Sequence, residues 1–315
     1  MSGRAGDLTS GHRMSGQADG QAGGRVRAVV VVRPGPLTTV QDDGRDGVAA
    51  LGVPRAGALD QPARALANRL VGNAPGAAVL ETTLGGVALR ALTPLVAAVT
   101  GAPSPVRVDG RPGAWGAPLR LAAGALLEVG AATDGVRAYV ALDGGVDVPP
   151  VLGSRSADLL SGLGPPPLAA GQLLPLGAPD GAPSWIEPLP QPAPPVELLL
   201  RLEPGPRDDW FSPGTLPLLA AARYEVSPAS NRIGLRLLGP SLRRLPGRGE
   251  LPSEGMVLGA VQVPPDGLPV VFLADHPTTG GYPVVGVVPA ADLAAAAQAR
   301  PGTPVRFAVA APGRR

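Results

Sequence analysis

The stretch from Ala77 to Val148, AAVLETTLGGVALRALTPLVAAVTGAPSPVRVDGRPGAWGAPLRLAAGALLEVGAATDGVRAYVALDGGVDV, decides the fold class. Apolar runs of strand length are broken by Gly, Pro or Asp roughly every 8 to 12 residues, the spacing of an antiparallel sandwich or barrel. Helical patterns do not alternate with these runs, which argues against a parallel α/β winding. Upstream, Arg25 to Leu51 reads as strand, turn, strand: RVRAVVVVR, then PGPLTTVQDDGRDG, then VAALGV. Asp60 to Gly72 predicts a helix, with Asp60 as N-cap, Pro62 in the first turn, Ala63, Leu66, Ala67 and Leu70 on one face, and Gly72 as the stop.

Downstream, Gly177 to Val196 carries seven prolines in twenty residues and reads as an extended linker. The strand pattern then restarts. Glu197–Leu202, Tyr224–Leu238, Val257–Leu273 and Val305–Ala310 read as strands, and Thr215–Ala222 and Asp292–Ala299 as short helices. The expected organisation is therefore a mainly β protein with a few short helices: a disordered leader over residues 1–24, a first β-rich domain over 25–190 and a second over 191–312. The 45 glycines and 40 prolines act as turn punctuation between apolar strings such as Arg27–Val32 and Pro269–Leu273, which separates the chain from a disordered tract.

Composition excludes several chemistries. All 27 basic side chains are Arg, so a Walker-type phosphate loop, a Schiff-base lysine and an attached biotin are impossible on this chain. The absence of Cys removes disulfides, thiolate nucleophiles and zinc ribbons. With only His12 and His276, no His-cluster metal site can form, and any Ser/His/Asp triad would have to use His276. Nine aromatic residues scattered along a nearly charge-balanced chain give no nucleic-acid signature. No apolar window has the length of a signal peptide core or a bilayer span, so the expected compartment is the cytoplasm.

Four segments concentrate polar side chains. Thr38 to Arg45, followed by Gly52 to Asp60, presents Gln41, Asp42 and Arg45 on turns. Such a set either orients a small carboxylate or amide or satisfies the turn backbone itself. Asp143-Gly144-Gly145 leads to Ser154-Arg155-Ser156, where the diglycine admits a close backbone approach and Ser154 with Arg155 could hold an anion; a tight hairpin is the plainer alternative. Ser227 to Gly234 offers Asn231 and Arg232, as ligand donors or turn caps. The richest segment joins Glu254, Gln262, Asp275, His276, Thr278, Thr279 and Tyr282. Gln262 sits in an apolar strand, where burial without a partner would cost about 1–3 kcal/mol; it either bonds a neighbouring backbone group or, as the Thr-Thr-Gly-Gly turn beside it favours, belongs to a site.

Taken together, PGPLTTVQDDGR, GVPRAGALD, the Ala67-Asn68 helix ending in Val71-Gly72-Asn73, Leu80-Glu81, GGVDVPPVLGSRS, SPASNRIGLRL, ELPSEG, GAVQVPPDG and ADHPTTGGYP resemble the biotin-dependent carboxyltransferase family. It is also known as the allophanate hydrolase subunit 2 or KipI-antagonist (KipA) family, and includes the C-subunit of 5-oxoprolinase. The resemblance runs from about Val32 to Phe307. It implies two cyclophilin-like β-barrel domains and a role in ATP-dependent hydrolysis of 5-oxo-L-proline to L-glutamate. It also implies two partners from the 5-oxoprolinase complex, a KipI-like B-subunit (allophanate hydrolase subunit 1) and an A-subunit of the lactam-utilisation type. ATP would be used by the complex, with no nucleotide motif and no biotin on this chain. The alternatives within the family are a biotin-dependent urea or amide carboxylase component and a non-catalytic regulator. The implied pocket residues are Gln41, Asp42, Arg45, Asn231, Arg232, Glu254, Gln262, Asp275, Thr278, Thr279 and Tyr282. The chain departs from the family pattern at His276-Pro277, where Arg-Gln is usual, at Val284, where Lys is common, and at Asp143, where a small apolar residue is frequent.

Overall fold

Strand Leu198–Pro204 shows how the chain builds its second half: Leu198, Leu200 and Leu202 are buried while Leu199, Arg201 and Glu203 face outward, the period-two pattern of a one-sided strand. The computed structural model describes residues 26–185 and 191–310. In it, seven strands close a barrel in the order Leu198–Pro204, Val284–Val287, Ala260–Gln262, Val270–Phe272, Gly234–Leu238, Tyr224–Val226 and Pro304–Val309. The closure pairs Leu198–Pro204 in parallel with Pro304–Val309. Two helices, Thr215–Ala221 and Ala290–Gln298, contribute Leu219, Leu293, Ala296 and Ala297 to the core of this half. A two-stranded ribbon, Glu254–Gly255 with Thr279–Gly280, stands apart from the barrel ladder.

The first half encloses its core between two sheets. One orders Leu173–Pro175, Ala28–Arg33, Ala88–Ala91, Leu126–Val129, Val106–Val108 and Arg111–Gly113; the other orders Leu37–Gln41, Val79–Thr83, Arg137–Leu142, Leu95–Gly101 and Pro118–Leu121. Every residue of Arg137–Leu142 is buried because both of its faces are covered. Ala138, Val140 and Leu142 pack into the inter-sheet core, whereas Tyr139 and Ala141 pack under the helix Gln61–Val71 with Ala63, Ala67 and Leu70. In chain order the three helices are α1 (Gln61–Val71), α2 (Thr215–Ala221) and α3 (Ala290–Gln298). Helix α1 begins and ends as its residues dictate: the Asp60 carboxylate accepts the Ala63 N–H at 3.0 Å, and Gly72 closes it in the left-handed region at φ 78°. The fold is mainly β with three short helices, as read from the sequence.

Local differences have local causes. Leu37–Gln41 is a strand rather than a turn, because Thr38, Thr39 and Val40 are β-branched and bounded by Pro-Gly and Asp-Gly breaks. Val48–Val53 is not a strand; Gly47 and Gly52 take positive φ and fold Ala49–Leu51 into a 3-10 turn. Tyr224–Leu238 divides into two strands around the Ser227–Asn231 turn.

Among the described residues no strand pair joins the sheets of residues 28–175 to the barrel of residues 198–309, and this supports a proposed division into domains 25–190 and 191–312. The proline-rich segment between them is tied to the first half: the Ser184 N–H donates to Leu70 O at 3.0 Å and the Gly101 N–H to Gln191 Oε1 at 2.8 Å. The expected leader over residues 1–24 lies outside the described residues. No described helix is long and apolar enough to cross a membrane.

The Asp143-Gly144-Gly145 motif serves a backbone crossing. Gly144 sits at φ 87°, and a Cβ there would fall 2.1 Å from Gly177 O. Gly144→Ala is expected to destabilise the protein by about 1–3 kcal/mol, read as a lowered denaturation midpoint with unchanged slope.

Candidate functional site

Ten of the eleven residues singled out in the sequence fall into three assemblies, two of them bracing networks, and Asn231 stands apart from all three. In the first, Asp42 is a buried hub. Its Oδ1 accepts from Ser154 Oγ at 2.5 Å, Ser156 Oγ at 2.6 Å and the Gly44 N–H at 2.9 Å, and its Oδ2 from the Arg155 N–H at 2.6 Å. Gln41 donates to Ala157 O and Thr39 Oγ1, both at 3.0 Å. Arg45 donates to Val151 O at 3.0 Å and Ser156 O at 2.6 Å. All three are at most 7% exposed, so they hold the 151–157 loop against the edge strand of the second sheet. Arg155 meanwhile pairs with Asp147 at 2.8 Å.

The second assembly crosses between the two halves of the chain. Arg232 forks onto Asp275 through two bonds of 2.9 Å, donates to Gly57 O at 2.7 Å, and pairs with Glu81. Glu81 also accepts the Tyr139 hydroxyl at 2.8 Å and the Leu59 N–H at 3.0 Å, and Arg137 lies 3.6 Å away. Asp60 continues the chain of contacts: its N–H donates to the Tyr139 oxygen at 2.7 Å and its Oδ2 accepts from Gln298 at 2.8 Å. The Gln298 side-chain carbonyl in turn accepts the Val136 and Arg137 N–H groups, both at 3.0 Å. Burial alone pushes the Glu81 carboxyl up, but Arg232, Arg137 and the two hydrogen bonds together hold it below its ordinary value. Burial disfavours the charge on Arg232, yet the two carboxylates more than offset this and keep it protonated. For Asp275 burial outweighs the pull of Arg232 and leaves the carboxyl raised, and burial likewise raises Asp60.

Sequence reasoning missed Glu81, Asp60, Arg137, Tyr139 and Gln298 as members of this network. The available signal was a lone acid in the apolar run of Val79–Thr83 and a lone Arg opening Arg137–Leu142, each of which requires a partner when buried. Asn231, exposed beside Arg232, caps its own turn by accepting the Ile233 N–H at 2.8 Å. His276 is buried with Nδ1 2.8 Å from Pro277 O and its ring stacked 6.1 Å from Phe272; burial pushes its pKa down, which favours the neutral imidazole.

The third assembly has open chemistry. The ribbon Glu254–Gly255/Thr279–Gly280 lies over the outer face of the barrel wall, opposite the Val261, Val271 and Val285 side, and brings together Glu254, Gln262, Thr278, Thr279 and Tyr282. Gln262 donates to Tyr282 O at 3.2 Å, Met256 N–H donates to Thr278 O at 2.9 Å, and Glu254 pairs with Arg207. Arg244 lies over the Tyr282 ring at 5.4 Å. The Thr278 and Thr279 hydroxyls have no partner among the described residues. Amide, hydroxyl and guanidinium donors beside one carboxylate suit recognition of a small polar molecule bearing an acid or amide. Separately, an apolar cleft of about 610 Å³ runs between α1 and α3 under Gln191–Pro195, lined by Leu66, Arg69, Ala291 and Ala294. No group of three or more His, Asp or Glu among the described residues could hold a metal ion.

Residues 51–309 match the family model described as carboxyltransferase domain, subdomain A and B. The chain belongs to that family. Its carboxyltransferase-domain relatives include the 5-oxoprolinase C-subunit of Escherichia coli, 38% identical over 284 residues, covering 88% of this chain and 89% of the relative. Urea amidolyase of Lachancea kluyveri is 35% identical over 306 residues, which cover 89% of this chain and 17% of that much longer protein. The crystal structure of Kluyveromyces lactis urea carboxylase superposes with a TM-score of 0.82 at 32% identity, covering 90% of this chain and 27% of the other. The carboxyltransferase fold therefore accounts for the architecture.

Glu81 gives a pH test of the seam. Its lowered pKa means that its stabilising contribution is complete above the ordinary Glu value of about 4.3 and is lost as pH falls through the lower folded value. The raised Asp275 and Asp60 act with the opposite sign, favouring the folded state below about 3.9 and losing that advantage as pH rises through their folded values. Glu81→Gln leaves two buried guanidiniums short of a counter-charge, and a loss of about 3–5 kcal/mol is expected at neutral pH. Denaturant titrations should show that deficit shrinking as pH is lowered below about 4.

Proposed function

We propose that this chain is the C-subunit of an ATP-dependent 5-oxoprolinase, acting with a KipI-like B-subunit and a lactam-utilisation-type A-subunit to hydrolyse 5-oxo-L-proline to L-glutamate. The observation that carries the reading is the 38% identity to the Escherichia coli relative over 89% of that protein's length. The lactam is a resonance-stabilised amide that water attacks slowly. Phosphorylation of its oxygen by ATP would supply a leaving group and an electrophilic carbon. ATP binding falls to the partner subunits in this reading, since this chain has no lysine for a Walker-type loop. The role assigned to this chain is to hold the lactam: Gln262 and the Thr278 and Thr279 hydroxyls offer hydrogen bonds to its amide, with Glu254 and Tyr282 in the same ribbon cluster.

A second reading is favoured by one specific observation, the 35% identity to the urea amidolyase of Lachancea kluyveri. In that reading the chain moves a carboxyl group from carboxybiotin to urea or another amide, and both the biotin and the ATP-dependent carboxylation come from outside these residues, which contain no lysine. The two readings share the same ribbon cluster and differ in what is brought to it.

The test is ATP consumption and glutamate release with 5-oxo-L-proline in the complex of this chain and its cognate subunits. Lactam-dependent turnover is expected, falling by about tenfold or more in Gln262→Ala while the complex stays assembled, the size of effect that follows from removing a substrate hydrogen bond in a buried site. A verified complex that turns over urea with carboxybiotin and leaves the lactam untouched would transfer the proposal to the second reading.

A further inference from the structure

Two arginines stand beside the ribbon cluster, Arg207 on Glu254 and Arg244 over Tyr282, and the structure treats them differently. Arg207, on the turn before Trp210, grips Glu254 with Nε 3.0 Å from both carboxylate oxygens and Nη2 on Oε1. Both partners are partly solvent-exposed, Arg207 at 36% and Glu254 at 28%. The hydrogen bonds from Arg207 hold the Glu254 carboxyl below its ordinary value. Arg244 has no carboxylate partner among the described residues. It lies over Tyr282, donates to Val263 O at 2.7 Å, and keeps a buried Nε–H with no acceptor. A partly buried guanidinium with an unmet donor is costly unless an anion joins it.

The backbone runs the segments that carry them side by side. Arg244 bridges across to Phe211, and the Leu245 N–H donates to Trp210 O at 2.9 Å, so the segment carrying Arg244 runs beside the turn that follows Arg207. The ribbon that bears Glu254 is minimal, two residues a side, and contains Gly255 and Gly280, with Gly281 next in sequence. A segment with so few ladder bonds and so much glycine can shift at small cost, leaving the Arg207–Glu254 fork as its principal side-chain pin.

We propose that Arg207 and Arg244 form a carboxylate subsite and that Glu254 is the built-in occupant of its Arg207 side, exchanged for the carboxylate of an incoming ligand. The ligand class is a small carboxylic acid; the identification with 5-oxo-L-proline rests on the oxoprolinase reading. A carboxylate-for-carboxylate exchange keeps Arg207 paired at every stage, so the ribbon is released only when a replacement anion is present.

The test is calorimetric binding to the full chain alone, using three probes: 5-oxo-L-proline, 2-pyrrolidinone as the same lactam without its carboxylate, and glutarate as a carboxylate without the lactam. Removing the competitor with Glu254→Gln is expected to tighten 5-oxo-L-proline and glutarate by roughly two- to fivefold, the worth of an exposed ion pair, and to leave 2-pyrrolidinone unchanged. Arg207→Gln and, independently, Arg244→Gln are expected to weaken both carboxylates by about tenfold or more. Circular dichroism and melting of each variant establish that the fold is kept. Equal binding of 2-pyrrolidinone and 5-oxo-L-proline, or a Glu254→Gln variant that melts lower and binds carboxylates no better, would overturn the exchange and leave the fork as a ribbon pin only. Glutarate binding that responds to Glu254→Gln in a complex without lactam turnover would keep the subsite and remove the oxoprolinase assignment. Turnover with no such response would do the reverse.

Discussion

Arg232 is the constraint on which the arrangement depends. Its guanidinium is 2% exposed and is shared between Glu81 from the first half of the chain and Asp275 from the second. A charge so placed is tolerable only when its partners are fixed on every side. Each partner is fixed: Glu81 by Tyr139 and the Leu59 N–H, Asp275 by the Leu159 N–H and the fork itself. Leu59, whose amide caps Glu81, places its side chain in the barrel's own hydrophobic core. The seam therefore couples electrostatics to packing. Replacing either carboxylate would disturb the sheets and the barrel together.

This seam also explains why so many polar residues of the chain serve bracing. Asp42, Arg45 and Gln41 hold the 151–157 loop, whose continuation donates Leu159 N–H to Asp275, so the first bracing network feeds the second. Polar side chains in a glycine- and proline-rich β protein must satisfy long irregular connections, and buried loop backbone leaves donors and acceptors that the sheets cannot meet. Among the described residues, the ribbon Glu254–Gly255/Thr279–Gly280 combines partly exposed charge with a glycine-rich backbone of few ladder bonds.

The exclusive use of arginine shapes both regions. A guanidinium can satisfy two carboxylates and a carbonyl in one plane, as Arg232 does, which an ammonium could not. The same fork geometry at Arg207 makes its grip on Glu254 exchangeable for any other planar carboxylate. The lysine and the arginine usual in the resembled family motif are replaced here by Val284 and His276. Val284 belongs to the buried wall of the barrel and His276 packs on Phe272, so these positions serve the interior of this chain.

The sequence by itself determined the β-rich class, the helix over Gln61–Val71 with its Asp60 and Gly72 limits, and the exclusion of lysine and cysteine chemistry. These follow from local rules: strand spacing, capping and the presence or absence of a functional group. The Ala290–Gln298 helix and the closing strand Pro304–Val309 were legible for the same reason. What only the tertiary structure decided is which polar residues belong together. Glu81 lies 151 positions from Arg232, and Asp60 lies 238 from Gln298. No local pattern separates an acid that neutralises a distant arginine from one that awaits a ligand. That distinction depends on burial and on the third and fourth neighbours of each charge, and these exist only once the sheets and the barrel have closed on one another.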